Sequence, residues 1–199
     1  MVPMRPLTEK EKEIVLVLAK DFSALYNARS LSKFVGMTPR GALKALKSLE
    51  QFEIVKGKAV GRAIIYRLTF NEHVKRLLPL FLFEEAQTKA LRWAREFEHF
   101  KANALILFGS ALRGKGHNDI DVMLLITLKD YDIANKQVEE KNAILVKPIH
   151  PVWQTRDDLE KNIRKPDSVI LEILKTGVVL KGQEIISEVL SNIGISRFR

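Results

Sequence analysis

The chain has 199 residues, with 33 Lys and Arg against 24 Asp and Glu, no cysteine, and a formal net charge of +9. This length allows one or two domains with a real core, and the positive charge favours an anionic partner such as nucleic acid or a nucleotide. The lack of cysteine excludes a disulfide scaffold and a thiolate metal site and fits a cytoplasmic protein. The polar start of the sequence and its short apolar runs predict neither a secretory signal nor a membrane span.

Helix signals dominate the first fifty residues. Thr8 and Glu11 form a capping box, in which each side chain bonds to the backbone N–H of the other residue. Thr38 followed by Pro39 combines an N-cap with proline at the first helical position. The sequence therefore predicts helices over residues 9 to about 20, 30–35 and 39 to about 51.

The segment after the third predicted helix is typical of a β-hairpin. Residues 54–56 and 63–68 are strand-like, and the loop 57–62 between them begins and nearly ends with glycine. Three helices followed by a hairpin resemble a winged helix-turn-helix domain. The resemblance implies that the third helix enters the DNA major groove while the hairpin contacts the backbone.

The charge distribution agrees with this interpretation. Residues 1–70 hold 13 Lys and Arg against six acids, so an excess of seven charges out of nine lies in this region. The alternatives are a basic face that is merely solvated, or a winged helix that serves dimerisation. Five basic residues are predicted to bind DNA: Arg40, Lys44 and Lys47 on the helix face opposite the leucines, and Lys58 and Arg62 in the hairpin.

Residues 71–83 are predicted to connect a first domain (1–70) to a second domain (84–199). Pro79 is expected to interrupt any helix there, and the apolar residues around it suit a contact between domains or a homodimer contact. In the second domain the sequence predicts helices at 84–100, 130–141, 155–163, 167–176 and 183–192, and strands at 105–108, 120–126 and 143–149, with a short Gly-Val-Val-Leu strand at 177–180.

The residues that predict a binding or catalytic site lie in the stretch from Leu105 to Ile126. Its two apolar strands flank a loop, and alternation along the second strand places Asp119 and Asp121 on the same face. Neighbouring carboxylates repel each other, and a hard cation such as Mg²⁺, or Mn²⁺, would relieve that repulsion. At the start of the loop, Gly109 lets a phosphate approach the backbone, where the Ser110 hydroxyl can bind it.

The motif consists of a strand, a Gly-Ser pair, a basic loop and a second strand with Asp-x-Asp. It resembles the signature of the DNA polymerase β-like nucleotidyltransferases, particularly their small prokaryotic members. The resemblance covers residues 83–180 and implies an α/β domain with a mixed sheet, so that the whole protein is α+β. It implies that Asp119 and Asp121 are catalytic metal ligands and that Gly109 and Ser110 hold a nucleoside triphosphate. Arg113 and Lys115 of the loop are placed to neutralise the triphosphate, and His117 either contacts a phosphate or is solvated.

One part of the nucleotidyltransferase pattern is missing. The family places a third carboxylate on a later strand, and the predicted strand 143–149 contains no acid. Glu139 and Glu140 lie upstream and would substitute only in another register. Two hypotheses follow: an enzyme that transfers a nucleotidyl group to a hydroxyl of a protein, nucleic acid or small molecule, or a DNA-binding regulator whose degenerate domain senses nucleotide or binds a partner.

Overall fold

The structure, a computed structural model, describes residues 5–114 and 119–196. Two compact units divide the chain: residues up to Phe81 together with those from Leu190 onward, and residues Leu82–Val189. The domains predicted from the sequence were residues 1–70 and residues 84–199, so the C-terminal residues were expected in the second domain. Within the described residues, no helix is long and apolar enough to cross a membrane.

The first unit is a winged helix. Its helix-turn-helix is formed by the second and third helices, and a two-stranded antiparallel hairpin follows it. The elements are α1 (Glu9–Lys20), α2 (Ala28–Phe34), α3 (Pro39–Gln51), β1 (Val55–Val60) and β2 (Ala63–Leu68).

The start of α1 confirms the predicted capping box. Thr8 is the N-cap, and its hydroxyl accepts from the Glu11 N–H, while Glu11 Oε2 accepts from the Thr8 N–H at 2.8 Å. Arg5 completes the arrangement through two bonds to Glu11, of 2.9 and 2.6 Å. Glu11 is 2 % exposed, so one buried carboxylate accepts the hydrogen bonds of both Thr8 and Arg5 at the start of the helix.

The hairpin is longer than predicted and its turn is shorter. Val60 pairs with Ala63, so the loop is only Gly61 and Arg62, and Gly61 takes a φ of +58° that suits glycine. Residues 57–60 were predicted as loop because glycine and lysine are poor strand formers. Their pairing with the β-branched and aromatic residues of β2 extends the strand instead.

A continuous helix, α4 (Glu72–Lys89), occupies the predicted connector. Pro79 does not interrupt it, contrary to the prediction. One face of α4 is fully buried and has an apolar residue at every fourth position: Val74, Leu78, Leu82 and Ala86. The packing of this face outweighs the one backbone hydrogen bond that Pro79 cannot make.

A glycine in the last helix packs against the end of the wing. Gly194 lies in α9 (Gln183–Ser196), in the part of this helix that belongs to the first unit. A Cβ at this position would stand 2.2 Å from Cε2 of Phe70, which is 3 % exposed. Residues that are far apart in the sequence therefore share the core of this unit.

The second unit is built on a mixed four-stranded sheet, as predicted. The strand order is β5-β4-β3-β6, with β4 and β5 parallel and the other two pairs antiparallel. Its strands are β3 (Ala104–Phe108), β4 (Ile120–Leu125), β5 (Ile149–Gln154) and β6 (Val178–Lys181), and its further helices are α5 (Leu91–Glu96), α6 (Tyr131–Ile144), α7 (Arg156–Arg164) and α8 (Ser168–Thr176), with 3₁₀ turns at Gly109–Arg113 and Leu128–Asp130.

The prediction of a strand at residues 143–149 is wrong. Helix α6 runs to Ile144, and the strand begins only at Ile149. Ile144 and Val146 are 75 % and 98 % exposed, so this apolar run is not a core segment. The real strand includes His150 and Pro151, which weaken the strand pattern, but β5 is at the sheet edge, where proline is tolerated.

Candidate functional site

The third helix of the winged helix presents a basic face. Its apolar residues, Ala42, Ala45, Leu46 and Leu49, are buried. Arg40, Lys44 and Lys47, at spacings of four and three residues, are exposed. The amphipathic pattern that places the helix in the core thus turns these three side chains to solvent.

The wing carries three exposed cations, Lys56, Lys58 and Arg62, of which the last two were predicted to bind DNA. Lys58 lies in β1, opposite Ile65, and Arg62 lies in the two-residue turn at the tip. We call Arg40, Lys44, Lys47, Lys58 and Arg62 the basic surface.

No ion pair neutralises the basic surface within residues 5–114 and 119–196. The lysines of α1 differ: Lys10 lies 2.8 Å from Glu13 and Lys12 lies 3.1 Å from Glu9. The positive charge of α3 and the wing is therefore uncompensated by the described residues. Such a surface attracts a polyanion.

The second unit contains a group of metal-ligating side chains. Asp119, Asp121 and His150 each offer a ligand atom, and these atoms all lie within 4.8 Å of one another. Asp121 of β4 is paired in register with His150 of β5 and with Phe108 of β3. We call these three residues the Asp-His cluster.

The two carboxylates of the Asp-His cluster repel each other. Burial raises the pKa of Asp121 above its ordinary value, and the Asp119 charge raises it further, while His150 acts in the opposite direction. His150 Nδ1 lies 3.4 Å from Asp119 Oδ2, and the Ser110 hydroxyl lies 3.4 Å from Asp119 Oδ1. A bound cation would relieve the repulsion between the two carboxylates.

Gly109 is fitted closely to this cluster. Its φ is +72°, and a Cβ there would stand 2.2 Å from Asp121 Oδ2. The turn after β3 therefore approaches the carboxylate as only glycine allows.

A cavity of about 530 Å³ opens beside the same turn. Gly109, Leu112 and Arg113 line one side, and residues of α8, including Ser168 and Glu172, line another. The lining therefore combines one basic side chain, the exposed Arg113, one acidic side chain, Glu172, and an apolar wall.

The structure brings together most of the residues predicted for the nucleotide site. Gly109, Ser110, Asp119 and Asp121 lie together, and Arg113 lines the adjoining cavity. Lys115 and His117 lie outside the described residues. Glu139 and Glu140 belong to α6, and the metal-ligating group contains His150 rather than either of them.

Sequence reasoning missed His150. The residue lies one position after the end of the predicted strand 143–149, and only the register of β5 against β4 shows that it neighbours Asp121. A histidine inside a short run rich in Ile, Val and Trp was the available signal.

Comparisons with known proteins give fold-level similarity only. No protein-family model matches the sequence, and no curated protein matches it. Among solved structures, the chain is similar to the zinc-responsive MarR family member ZitR of Lactococcus lactis, with 21% identity, a TM-score of 0.36, and coverage of 48% of this chain and 64% of that one. It is also similar to the adhesin competence repressor AdcR of Streptococcus pyogenes, with 17% identity, a TM-score of 0.38, and coverage of 67% and 77%.

A further similar structure is ZitR in complex with DNA, at 18% identity and a TM-score of 0.34, covering 48% of this chain and 66% of that one. The matched part of this chain thus spans 64% of the length of the first ZitR structure. These similar structures are regulators and not nucleotidyltransferases. The assignment of residues 83–180 to the nucleotidyltransferase superfamily is therefore wrong.

Proposed function

We propose that the protein is a DNA-binding regulator that reads DNA through its winged helix. The observation that supports this proposal is the basic surface: five exposed cations on α3 and the wing, none of them in an ion pair with a described residue. Phosphates supply the matching negative charge at close spacing along a duplex.

Each element of the basic surface has a distinct role in this proposal. Helix α3 enters the major groove, where Arg40, close to its N-terminus, is placed for base edges. Lys44 and Lys47 lie further along the same face and bind the phosphates that border the groove. Lys58 and Arg62 bind the backbone next to the groove from the wing.

Replacing Arg40, Lys44 and Lys47 together with alanine is expected to weaken DNA binding by about 100-fold or more, because each lost phosphate contact also removes released counterions. The slope of log affinity against log salt should fall by about 2, because Lys44 and Lys47 are the two of these residues that bind phosphates in this proposal. Gel shifts and fluorescence anisotropy with genomic fragments at several salt concentrations measure both quantities.

A matched control removes the same charge elsewhere. Lys10, Lys75 and Lys136 are paired with Glu13, Glu72 and Glu140, and their joint replacement with alanine also lowers the net charge by three. Equal losses in the two triple variants would show that net charge alone drives the binding. Binding that has no preferred fragment and disappears with salt would contradict a regulator that reads an operator.

We also propose a ligand for the second unit: a nucleotide held with a divalent cation. The cavity beside Gly109 supports this proposal, because its lining includes Arg113 and an apolar wall, and Gly109 itself approaches the Asp121 carboxylate. In this arrangement Mg²⁺ or Mn²⁺ at Asp119 and Asp121 binds the phosphates, and the cavity receives the rest of the ligand. Such a ligand is the candidate effector of DNA binding.

Thermal shift with ATP, GTP, CTP and UTP tests the second proposal. One nucleotide should raise the melting temperature of the second unit only when Mg²⁺ or Mn²⁺ is present, because a ligand that binds the native state stabilises it. Replacing Asp121 with asparagine should abolish the shift, and the Glu188→Gln variant, which changes an exposed acid elsewhere in this unit, should retain it. If no nucleotide stabilises the wild type with either metal, the proposal fails.

A further inference from the structure

We infer that Asp119, Asp121 and His150 form a three-ligand site for a borderline transition-metal ion of the Zn²⁺ type, which the site binds in preference to Mg²⁺. This inference deepens the second proposal because it concerns the same two carboxylates. It requires a metal but no nucleotide, so the two can fail separately.

The distances between ligand atoms suit one small ion. Zinc bonds to nitrogen and oxygen are about 2.1 Å long, and two ligands at a tetrahedral angle then lie roughly 3.4 Å apart. His150 Nδ1 and Asp119 Oδ2 are 3.4 Å apart, and all three ligand atoms lie within 4.8 Å of one another. Small side-chain rotations therefore bring the three atoms to bonding distance without backbone movement.

The sheet holds these side chains in position before any metal binds. Asp121 and His150 are register partners on adjacent parallel strands, so their side chains leave the same face of the sheet. Asp119 precedes β4 by one residue and lies on the same face as Asp121. On the opposite face, Ile120, Val122 and Ile149 are buried in the core and fix both strands.

The donor set decides between metals. Mg²⁺ prefers six oxygen ligands and gives up its waters reluctantly, whereas imidazole suits Zn²⁺ and its neighbours in the transition series. Two carboxylates alone would form a magnesium site. The imidazole of His150 shifts the preference because it contributes a nitrogen 3.4 Å from Asp119 Oδ2.

Three ligands, all that the described residues supply, leave the coordination sphere open. The Asp119 side chain is 34 % exposed and that of His150 is 58 % exposed, so water or a ligand group has access to the remaining position. Structural zinc sites are closed by four protein ligands, while sites that exchange ligands keep a position free. The geometry is therefore that of an exchangeable site.

The decisive experiment is isothermal titration of the purified protein with Zn²⁺ alone and with Mg²⁺ alone. Wild type is expected to bind Zn²⁺ at least 100-fold more tightly than Mg²⁺. His150→Ala should weaken Zn²⁺ binding by 10-fold or more and leave Mg²⁺ binding within twofold. His99→Ala, which removes another exposed histidine of the same unit, is the matched control and should change neither affinity.

A second variant separates ligation from structural damage. His150→Asp replaces the nitrogen with a carboxylate oxygen, so Mg²⁺ binding should strengthen while Zn²⁺ binding weakens. An effect on fold alone would lower both affinities together. In parallel, the imidazole proton resonances of His150 should shift or broaden when Zn²⁺ is added to the wild type.

Two results would overturn the inference. One is unchanged Zn²⁺ affinity in His150→Ala, and the other is equal loss in His99→Ala, which would mark binding to surface histidines in general. If His150→Ala behaves like wild type yet a nucleotide with Mg²⁺ still stabilises the protein, only the transition-metal inference fails. If Zn²⁺ binds as expected and no nucleotide does, only the nucleotide proposal fails.

Discussion

Replacing Gly182 with alanine is expected to reduce the free energy of unfolding of the second unit by about 3–5 kcal/mol. Gly182 joins β6 to α9 with a φ of +75°. A Cβ there would stand 2.2 Å from the Asn103 carbonyl oxygen and 2.7 Å from Ala104 Cα. Both are backbone atoms at the start of β3, so the clash is relieved only by moving a strand of the sheet.

A second glycine in the same unit provides a control that separates the effect of the clash from the effect of the backbone conformation. Gly114 also has a positive φ, +87°, but no heavy atom of the described residues lies within 4 Å of its would-be Cβ. Gly114→Ala should therefore cost only the backbone strain of a conformation that favours glycine, about 1–3 kcal/mol. Urea unfolding followed by the fluorescence of Trp93 and Trp153, both in the second unit, measures the two variants. Equal losses would show that the contact with Asn103 and Ala104 is unimportant.

Replacing Glu11 with glutamine is expected to destabilise the first unit by about 3 kcal/mol at neutral pH. Burial opposes the charge of Glu11, but hydrogen bonds from Arg5, Thr8 and Ser48 outweigh it and lower its pKa from 4.5 to about 2. The folded state thus favours the ionised form, and glutamine cannot carry that charge. Glu13→Gln, which removes a half-exposed acid paired with Lys10, should change stability by less than about 0.5 kcal/mol.

The lowered pKa of Glu11 also fixes a pH dependence. Because the folded pKa is below the unfolded one, the stabilisation is complete above the unfolded value of 4.5 and is lost as the pH falls toward 2. The stability difference between wild type and Glu11→Gln should therefore shrink across that window. Circular dichroism and hydrogen exchange of the α1 amides measure it, and a difference that is constant with pH would contradict the assignment.

Local signals in the sequence predicted much of the first unit. The bounds of α1 and α3 follow from Thr8, Glu11, Thr38 and Pro39, because capping chemistry depends on residues within one helical turn. Pro79 misled the prediction because the burial that stabilises α4 comes from contacts distant in sequence. Predictions succeeded where the determining interactions are local.

The residues of the candidate site also differ in whether local sequence signals could predict them. Asp119 and Asp121 could be found from strand alternation, since both are on one strand and close in sequence. His150 could not, because its place beside Asp121 depends on the register of two parallel strands joined by α6. The nucleotidyltransferase resemblance predicted a third acid, whereas the third metal-ligating side chain among the described residues is a histidine.

The packing of Gly194 against Phe70 has a consequence for biosynthesis. During translation, the helices and the wing of the first unit leave the ribosome early, but the segment that covers Phe70 is made only after the whole of residues 82–189. Until then the nascent winged helix exposes an aromatic ring that is 3 % accessible in the finished protein. The core of the first unit should thus be completed late, since premature termination before residue 190 would release a chain without the segment that packs against Phe70.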